Sequence, residues 1–186
     1  MDTEKEQQEK EPFSLKKEII SWIWIIITAA AIAFFLNTFI IANSRVPSGS
    51  MENTIMTGDR VIGSRLSYRF HDPERGDIAI FHFPDDPSGK TLYVKRVIGL
   101  PGETVDIKDG HVYINGEALD EPYIREPMDP EEPMHFEVPE GCYFMMGDNR
   151  NYSSDARYWT NHYVEKDQII AKVMFRYFPN IAWLDE

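Results

Sequence analysis

Residues 91–114 read TLYVKRVIGLPGETVDIKDGHVYI. Val, Ile and Tyr crowd 91–98, 104–107 and 112–114, the composition of short strands. Asp109-Gly110 separates the last two runs and Asn115-Gly116 follows them. Both pairs suit type I′ hairpin turns, in which the two central residues take positive φ. The stretch therefore reads as antiparallel β, with 103–119 a small β-meander. Working outward, the same composition recurs at 60–64, 77–83, 142–146 and 169–177. No helical periodicity of useful length follows residue 43, apart from a short turn near 153–158. The stretch 121–140, rich in Pro and Glu, reads as an exposed connection. The expected body is all-β and antiparallel: 43–102 and 141–186 form its main domain, and 103–140 is a small inserted β region.

Toward the N-terminus the pattern changes. Residues 19–42 read IISWIWIIITAAAIAFFLNTFIIA and carry no charge. At ~1.5 Å per residue such a helix reaches ~36 Å, against ~30 Å of hydrocarbon. Trp22 and Trp24 suit an interfacial belt, and the polar Asn37 and Thr38 fall late, near the other boundary. A cleaved secretory leader is the competing reading. Its apolar core would be ~7–15 residues with a small-x-small cut site after it. This core is longer, and Ala29–Ala31 lie inside it, which favours an uncleaved single-pass anchor. Lys16 and Lys17 precede the span and only Arg45 follows it closely. That places residues 1–18 as a cytoplasmic tail and the β body outside the cell membrane.

The chain of 186 residues has a net charge of −12 and a pI of about 4.8. A basic face for phosphate is therefore not expected, and nucleic acid is excluded as a partner. Glu117, Asp120, Glu121, Glu126, Asp129, Glu131, Glu132, Glu137 and Glu140 read as a solvated acidic loop. Cys142 stands alone, so no intramolecular disulfide can form, and it reads as a small apolar strand residue.

Two segments carry chemistry, VPSGSM at 46–51 and YVKRVIGLPGE at 93–103. Taken singly, Ser50 is an ordinary turn serine and Lys95 a surface lysine that snorkels. Taken together they offer a nucleophile and a base. A serine hydroxyl attacks only when a base removes its proton, and lysine is a base only when neutral. Bringing a lysine from ~10.4 to ~7–8 requires about 4 kcal/mol of differential destabilisation of its charge, which apolar burial supplies. Strand alternation puts Tyr93, Lys95 and Val97 on one face, and Val94, Arg96 and Ile98 on the other.

VPSGSMENT (46–54), RGDIAIF (75–81), YVKRVIGLPGE (93–103) and MGDNRNYSSDARYW (146–159) follow the apolar segment in this order. The set resembles type I signal peptidases, membrane-bound Ser/Lys proteases, over most of 44–178. The resemblance implies Ser50 as nucleophile and Lys95 as general base. Ser48 would join the Ser50 amide in an oxyanion hole, and Ser153 would orient the lysine. Asp155 and Arg157 would brace the site, supported by Asp148. The implied substrates are preproteins with small residues one and three positions before the cut. Val46, Met51 and Val94 are candidates for the shallow pockets that take them. No metal or cofactor is implied, membrane lipid is a partner, and the chain is expected to act as a monomer. Asn53 replaces the Pro common before the Thr of the serine motif, which leaves the turn around Thr54 looser. Asn151-Tyr152 replaces the commoner Asp-Asn.

Rival readings remain at this point. His71, His82, His111, His135 and His162 admit a Ser-His-Asp triad, but no Gly-x-Ser-x-Gly elbow accompanies them. No pair of histidines has zinc-ligand spacing. A non-catalytic anchored β domain would make Ser50 and Lys95 mere turn and strand residues. The aromatic run 174–184 is either a final core strand or a surface resting at the lipid interface.

Overall fold

The apolar run forms α1 (Leu15–Phe35), which continues as a wider helical turn over Leu36–Ile40. Its side chains are exposed throughout, and Leu15–Ile40 is long and apolar enough to cross a membrane. The structure, a computed structural model, describes residues 14–184. Most of the expected tail at 1–18 therefore lies outside the described residues.

The body begins at once with β1 (Ile41–Arg45), so Ile41 and Ala42, expected at the end of the span, are strand residues. β2 (Arg60–Ser64), α2 (Ser67–Phe70), β3 (Ile78–His82) and β4 (Leu92–Gly99) follow. Then come β5 (Thr104–Lys108), β6 (His111–Ile114), β7 (Glu117–Ala118) and β8 (Met134–Glu137). β9 (Cys142–Met146), β10 (Val164–Glu165), β11 (Ile169–Phe178) and β12 (Ala182–Trp183) complete the chain. All pairings are antiparallel. The larger sheet runs β1-β2-β11-β3-β4-β9-β10, with β12 on β11, and the smaller runs β7-β6-β5-β8.

Alternation along β3 divides the interior. Ile78 and Ile80 join Val46, Met51, Val61, Ala171 and Val173 in a smaller core, while Ala79 and Phe81 enter a larger one. The larger core continues through Val97, Phe144 and Met145 into Val105, Ile107, Val112 and Phe136 of the small sheet. The two sheets thus share one apolar interior. Asp109 and Asn115 take φ of 52° and 51° ahead of their glycines, as the hairpin turns require.

The stretch 121–140 is not simply an exposed connection. It contributes β8, paired with β5, and buries Met128, Phe136 and Val138. The acidic loop is not wholly solvated either, because the Glu121 side chain is 7% exposed and ion-paired with Arg150. Within 174–184, β11 is an inner strand of the larger sheet, whereas Phe178, Ile181 and Trp183 stay exposed near its end.

Candidate active site

Ser50 lies in the loop that joins β1 to β2. The β1–β2 ladder closes the base of this loop at Arg45–Arg60, and Val46 N–H donates to Asp59 O at 2.9 Å. Inside the loop, Ile55 N–H donates to Met51 O (2.8 Å), and Thr54 Oγ1 donates to Asp148 Oδ2 (2.5 Å). The turn around Thr54 is therefore pinned rather than loose, although Asn53 stands beside it. Ser50 is 6% exposed and Met51 is fully buried.

Lys95 comes from β4, directly opposite Ala79 of β3. Directly opposed residues share a face, and the small Ala79 leaves room for the lysine stem. The side chain is 4% exposed. Tyr93, Phe83 and Trp159 form an aromatic cluster beside it: Phe83 and Tyr93 stack at 4.5 Å, and the Tyr93 ring centre is 5.8 Å from Lys95 Nζ. Nζ donates to Ser153 Oγ at 3.1 Å. Burial pulls the Lys95 ammonium from its usual 10.5 down to about 8, and the Arg157 charge adds to that, while Asp155 and Asp148 pull the other way.

Ser50 and Lys95 open onto one cavity of about 420 Å³, whose walls include Val46, Ser48, Tyr93, Val94 and Tyr152. Ser48 Oγ sits 3.5 Å from Ser50 Oγ, at the outer limit of a hydrogen bond. No hydrogen bond joins Ser50 Oγ to Lys95 Nζ among the described residues. Catalytic contacts are often long before substrate binds. Val46 and Val94 line the cavity, whereas Met51 packs in the smaller core and is absent from its wall. A larger groove of about 480 Å³ beside Tyr68 and Met174 shares no wall residue with this cavity.

Behind the cavity, residues 147–157 are held by buried charge pairs. Asp155 accepts from Arg157 through both oxygens (2.8 and 3.0 Å) and from Gly147 N–H (3.0 Å). Asp148 accepts from Arg96 Nε and Nη2 at 2.8 and 2.6 Å. Arg150 binds Glu121 through two nitrogens, while its Nε donates to Gly147 O. These bidentate pairs are of the strong, geometry-fixing kind. Asn149 N–H donates to Ser50 O (3.0 Å), and its Nδ2 donates to Gly49 O (2.9 Å). Gly147 has no room for a side chain: a Cβ there would strike Ser153 Oγ and Ser50 O.

Every sequence candidate except Met51 therefore meets at, or directly supports, this cavity. Arg96, Glu121, Gly147, Asn149 and Arg150 were missed. Arg96, Gly147, Asn149 and Arg150 lie inside the quoted motifs without having been given a role, and alternation already turned Arg96 away from Lys95. Nothing local marks Glu121 as the partner of Arg150. Among the described residues no histidine side chain hydrogen-bonds a serine hydroxyl: His135 meets Asp106, and His162 meets Ala156 O. No group of acidic, His or Cys residues among them is arranged to hold a metal.

The model of the family described as "Signal peptidase, peptidase S26" matches residues 19–178. A probable signal peptidase I-1 of Synechocystis sp. is 39% identical over 92% of this chain and 87% of its own length. Signal peptidase IB of Staphylococcus aureus is 33% identical, over 89% and 92%. The crystal structure of a signal peptidase I from Enterococcus faecalis is 35% identical, with a TM-score of 0.46, covering 55% of this chain and 97% of that one.

Proposed function

The chain belongs to the S26 family of signal peptidases, and from that premise we propose that it cuts signal peptides from preproteins with Ser50 as nucleophile and Lys95 as general base. One observation carries the assignment. A lysine amine is 4% exposed, holds a serine hydroxyl at 3.1 Å, and opens onto the cavity that Ser50 also lines. A surface lysine would sit in water at its ordinary pKa. Here drying brings the ammonium to about 8, where a useful neutral fraction exists near pH 7.

Neutral Lys95 takes the Ser50 proton as the oxygen attacks the scissile carbonyl. Ser153 holds the amine so that its free lone pair faces the serine. Asp155, itself fixed by Arg157, steadies the ammonium that forms. The Ser50 N–H and Ser48 Oγ–H donate to the developing oxyanion; losing one such donor typically costs about 10²–10³ in rate. The ammonium then protonates the leaving amine, and the neutral amine next activates the water that frees the acyl group.

The substrate enters as an extended strand. On its β9 side β4 is paired only from Arg96 onward, so 92–95 present a free edge to the cavity. The segment 44–48 also lines this cavity. A peptide laid between them gains main-chain hydrogen bonds, and its alternate side chains meet the walls. Val46 and Val94 narrow those walls, which favours small side chains before the cut. The Leu15–Ile40 helix anchors the chain in the cell membrane as a single pass, with the lysine-flanked end cytoplasmic and the body outside.

The test is cleavage of a preprotein by the full chain in detergent. The wild type cuts after a small residue; Ser50→Ala and Lys95→Ala fold and do not. Substantial cleavage by Lys95→Ala would overturn the base assignment, and cleavage by Ser50→Ala the nucleophile.

A further inference from the structure

The Ser50 N–H can serve an oxyanion only if its peptide plane is held in one orientation. That plane belongs to the Gly49–Ser50 unit. In a trans peptide the N–H points opposite to the C=O, so fixing the Gly49 carbonyl fixes the Ser50 amide. Gly49 O accepts from Asn149 Nδ2 at 2.9 Å, a contact bridging a hundred residues of chain. The next carbonyl, Ser50 O, accepts from Asn149 N–H at 3.0 Å. One residue thus grips two successive carbonyls of the turn. The Ser50 N–H, aimed the other way, donates to no protein acceptor among the described residues.

A second observation concerns the other end of the same side chain. Asn149 is 2% exposed, and its Oδ1 accepts from no protein donor. A buried acceptor left in this state is destabilising. Rotating the amide would not help, because it would aim Oδ1 at the Gly49 carbonyl and set two acceptors face to face. The side chain is therefore committed to donating to Gly49 O at the expense of its own oxygen. That arrangement sets the Gly49–Ser50 plane.

We infer that Asn149 is a positioning residue for catalysis: its side-chain amide, by holding the Gly49 carbonyl, aims the Ser50 N–H at the oxyanion. This rests on the Ser50 assignment above. Asn149 does not touch the reacting atoms. Arg150 and Asp148 on either side are tied to Glu121 and Arg96, which keeps the Asn149 backbone in place. Gly147, with no side chain, lets this strand-end approach Ser50 O closely.

The experiment uses the full chain in detergent with an internally quenched signal-peptide substrate. Asn149→Ala removes the donor. Asn149→Asp keeps the shape and cannot donate at neutral pH, so it decides the matter if Asn149→Ala fails to fold. In both, kcat falls about 10²-fold while KM stays put, and in Asn149→Ala, which adds no charge, the midpoint of the pH profile stays put as well. A substrate with sulfur for oxygen at the scissile carbonyl adds a direct probe. Wild type prefers oxygen strongly, and the variants lose much of that preference. The inference is overturned if Asn149→Asp keeps wild-type kcat, if its loss falls on KM, if the pH midpoint of Asn149→Ala moves, or if the oxygen-over-sulfur preference is unchanged. Ser50→Ala runs alongside. If it still cuts, the nucleophile assignment fails; an inert Ser50→Ala beside a fully active Asn149→Asp rejects the positioning role alone.

Discussion

Replacing Lys95 by Met should abolish cleavage and make the protein harder to unfold at pH 7. The amine holds its proton at about 8 in the fold against 10.5 when unfolded, with burial the leading cause. For a lysine lowered in this way the sign is unfavourable to folding. Below about 8 both states carry the proton, and the full penalty of burying the charge is present. Between about 8 and 10.5 the unfolded state binds more protons, so stability rises with pH as the penalty is relieved. At ~1.36 kcal/mol per pH unit the penalty is about 3 kcal/mol. Met is close in shape and carries no charge, so most of this is recovered, less the lost bond to Ser153. For a chain of this size ~3 kcal/mol corresponds to roughly 6–12 °C in melting temperature. The assay is thermal unfolding of both proteins in the same detergent at pH 7 and pH 10. The Lys95→Met advantage should be several degrees at pH 7 and should shrink at pH 10, where about 1 kcal/mol or less of penalty remains. Other titrating groups are common to both proteins and cancel in the difference. A variant that melts below wild type at pH 7, or an advantage that is the same at both pH values, would refute the reasoning.

Cleavage by wild type should climb about tenfold per pH unit below pH 8 and level off above it, because only the neutral amine is active; a flat profile from pH 6 to 9 with chemistry rate-limiting would exclude Lys95 as the base. Gly147→Ala should destroy activity and lower stability by about 1–3 kcal/mol, since the added methyl strikes Ser153 Oγ and Ser50 O, as read by turnover and urea midpoints. Glu121→Ala should cost roughly 3–5 kcal/mol by leaving the buried Arg150 unpaired, whereas Glu132→Ala, in an exposed position, should leave the urea midpoint unchanged. Ser48→Ala should lower kcat by about 10²-fold or more with KM little affected, measured on the same quenched substrate.

Where the sequence was legible, local chemistry dictated local structure. Apolar and aromatic runs became β3, β4 and β9, and Asp109-Gly110 and Asn115-Gly116 became turns because few residues accept positive φ. What escaped was set by distant partners. β8 exists because Phe136 faces inward opposite Val105; Met134-His135-Phe136-Glu137 does alternate, but the run is short and the Pro and Glu around it read as loop. β10 and β12 are two residues long and have no signature of their own. β1 was hidden because Ile41 and Ala42 continue the apolar run, and only pairing with Gly63 and Ser64 shows them as strand. At the site, Ser50, Lys95 and Ser153 could be named from motifs. Arg96 and Arg150 could not, since a charged residue reads as surface until its carboxylate is found, whereas Arg157 was named together with Asp155, two residues away. Glu121 and Arg150 are 29 residues apart.

The chain leaves β4 at Gly99 and returns in β9, where Phe144 lies beside that same Gly99. The whole small sheet is thus an elaborated hairpin tip, closed at its neck. Lengthening its outer bends at 109–110 or 115–116 would add only a slowly growing loop entropy, and would leave the Lys95 end of β4 unmoved. Excision is another matter. Val105, Ile107 and Phe136 roof the interior over Phe144, and their removal would open that interior to water. Cargo could be grafted onto the rim of this protein, but its lid cannot be cut away.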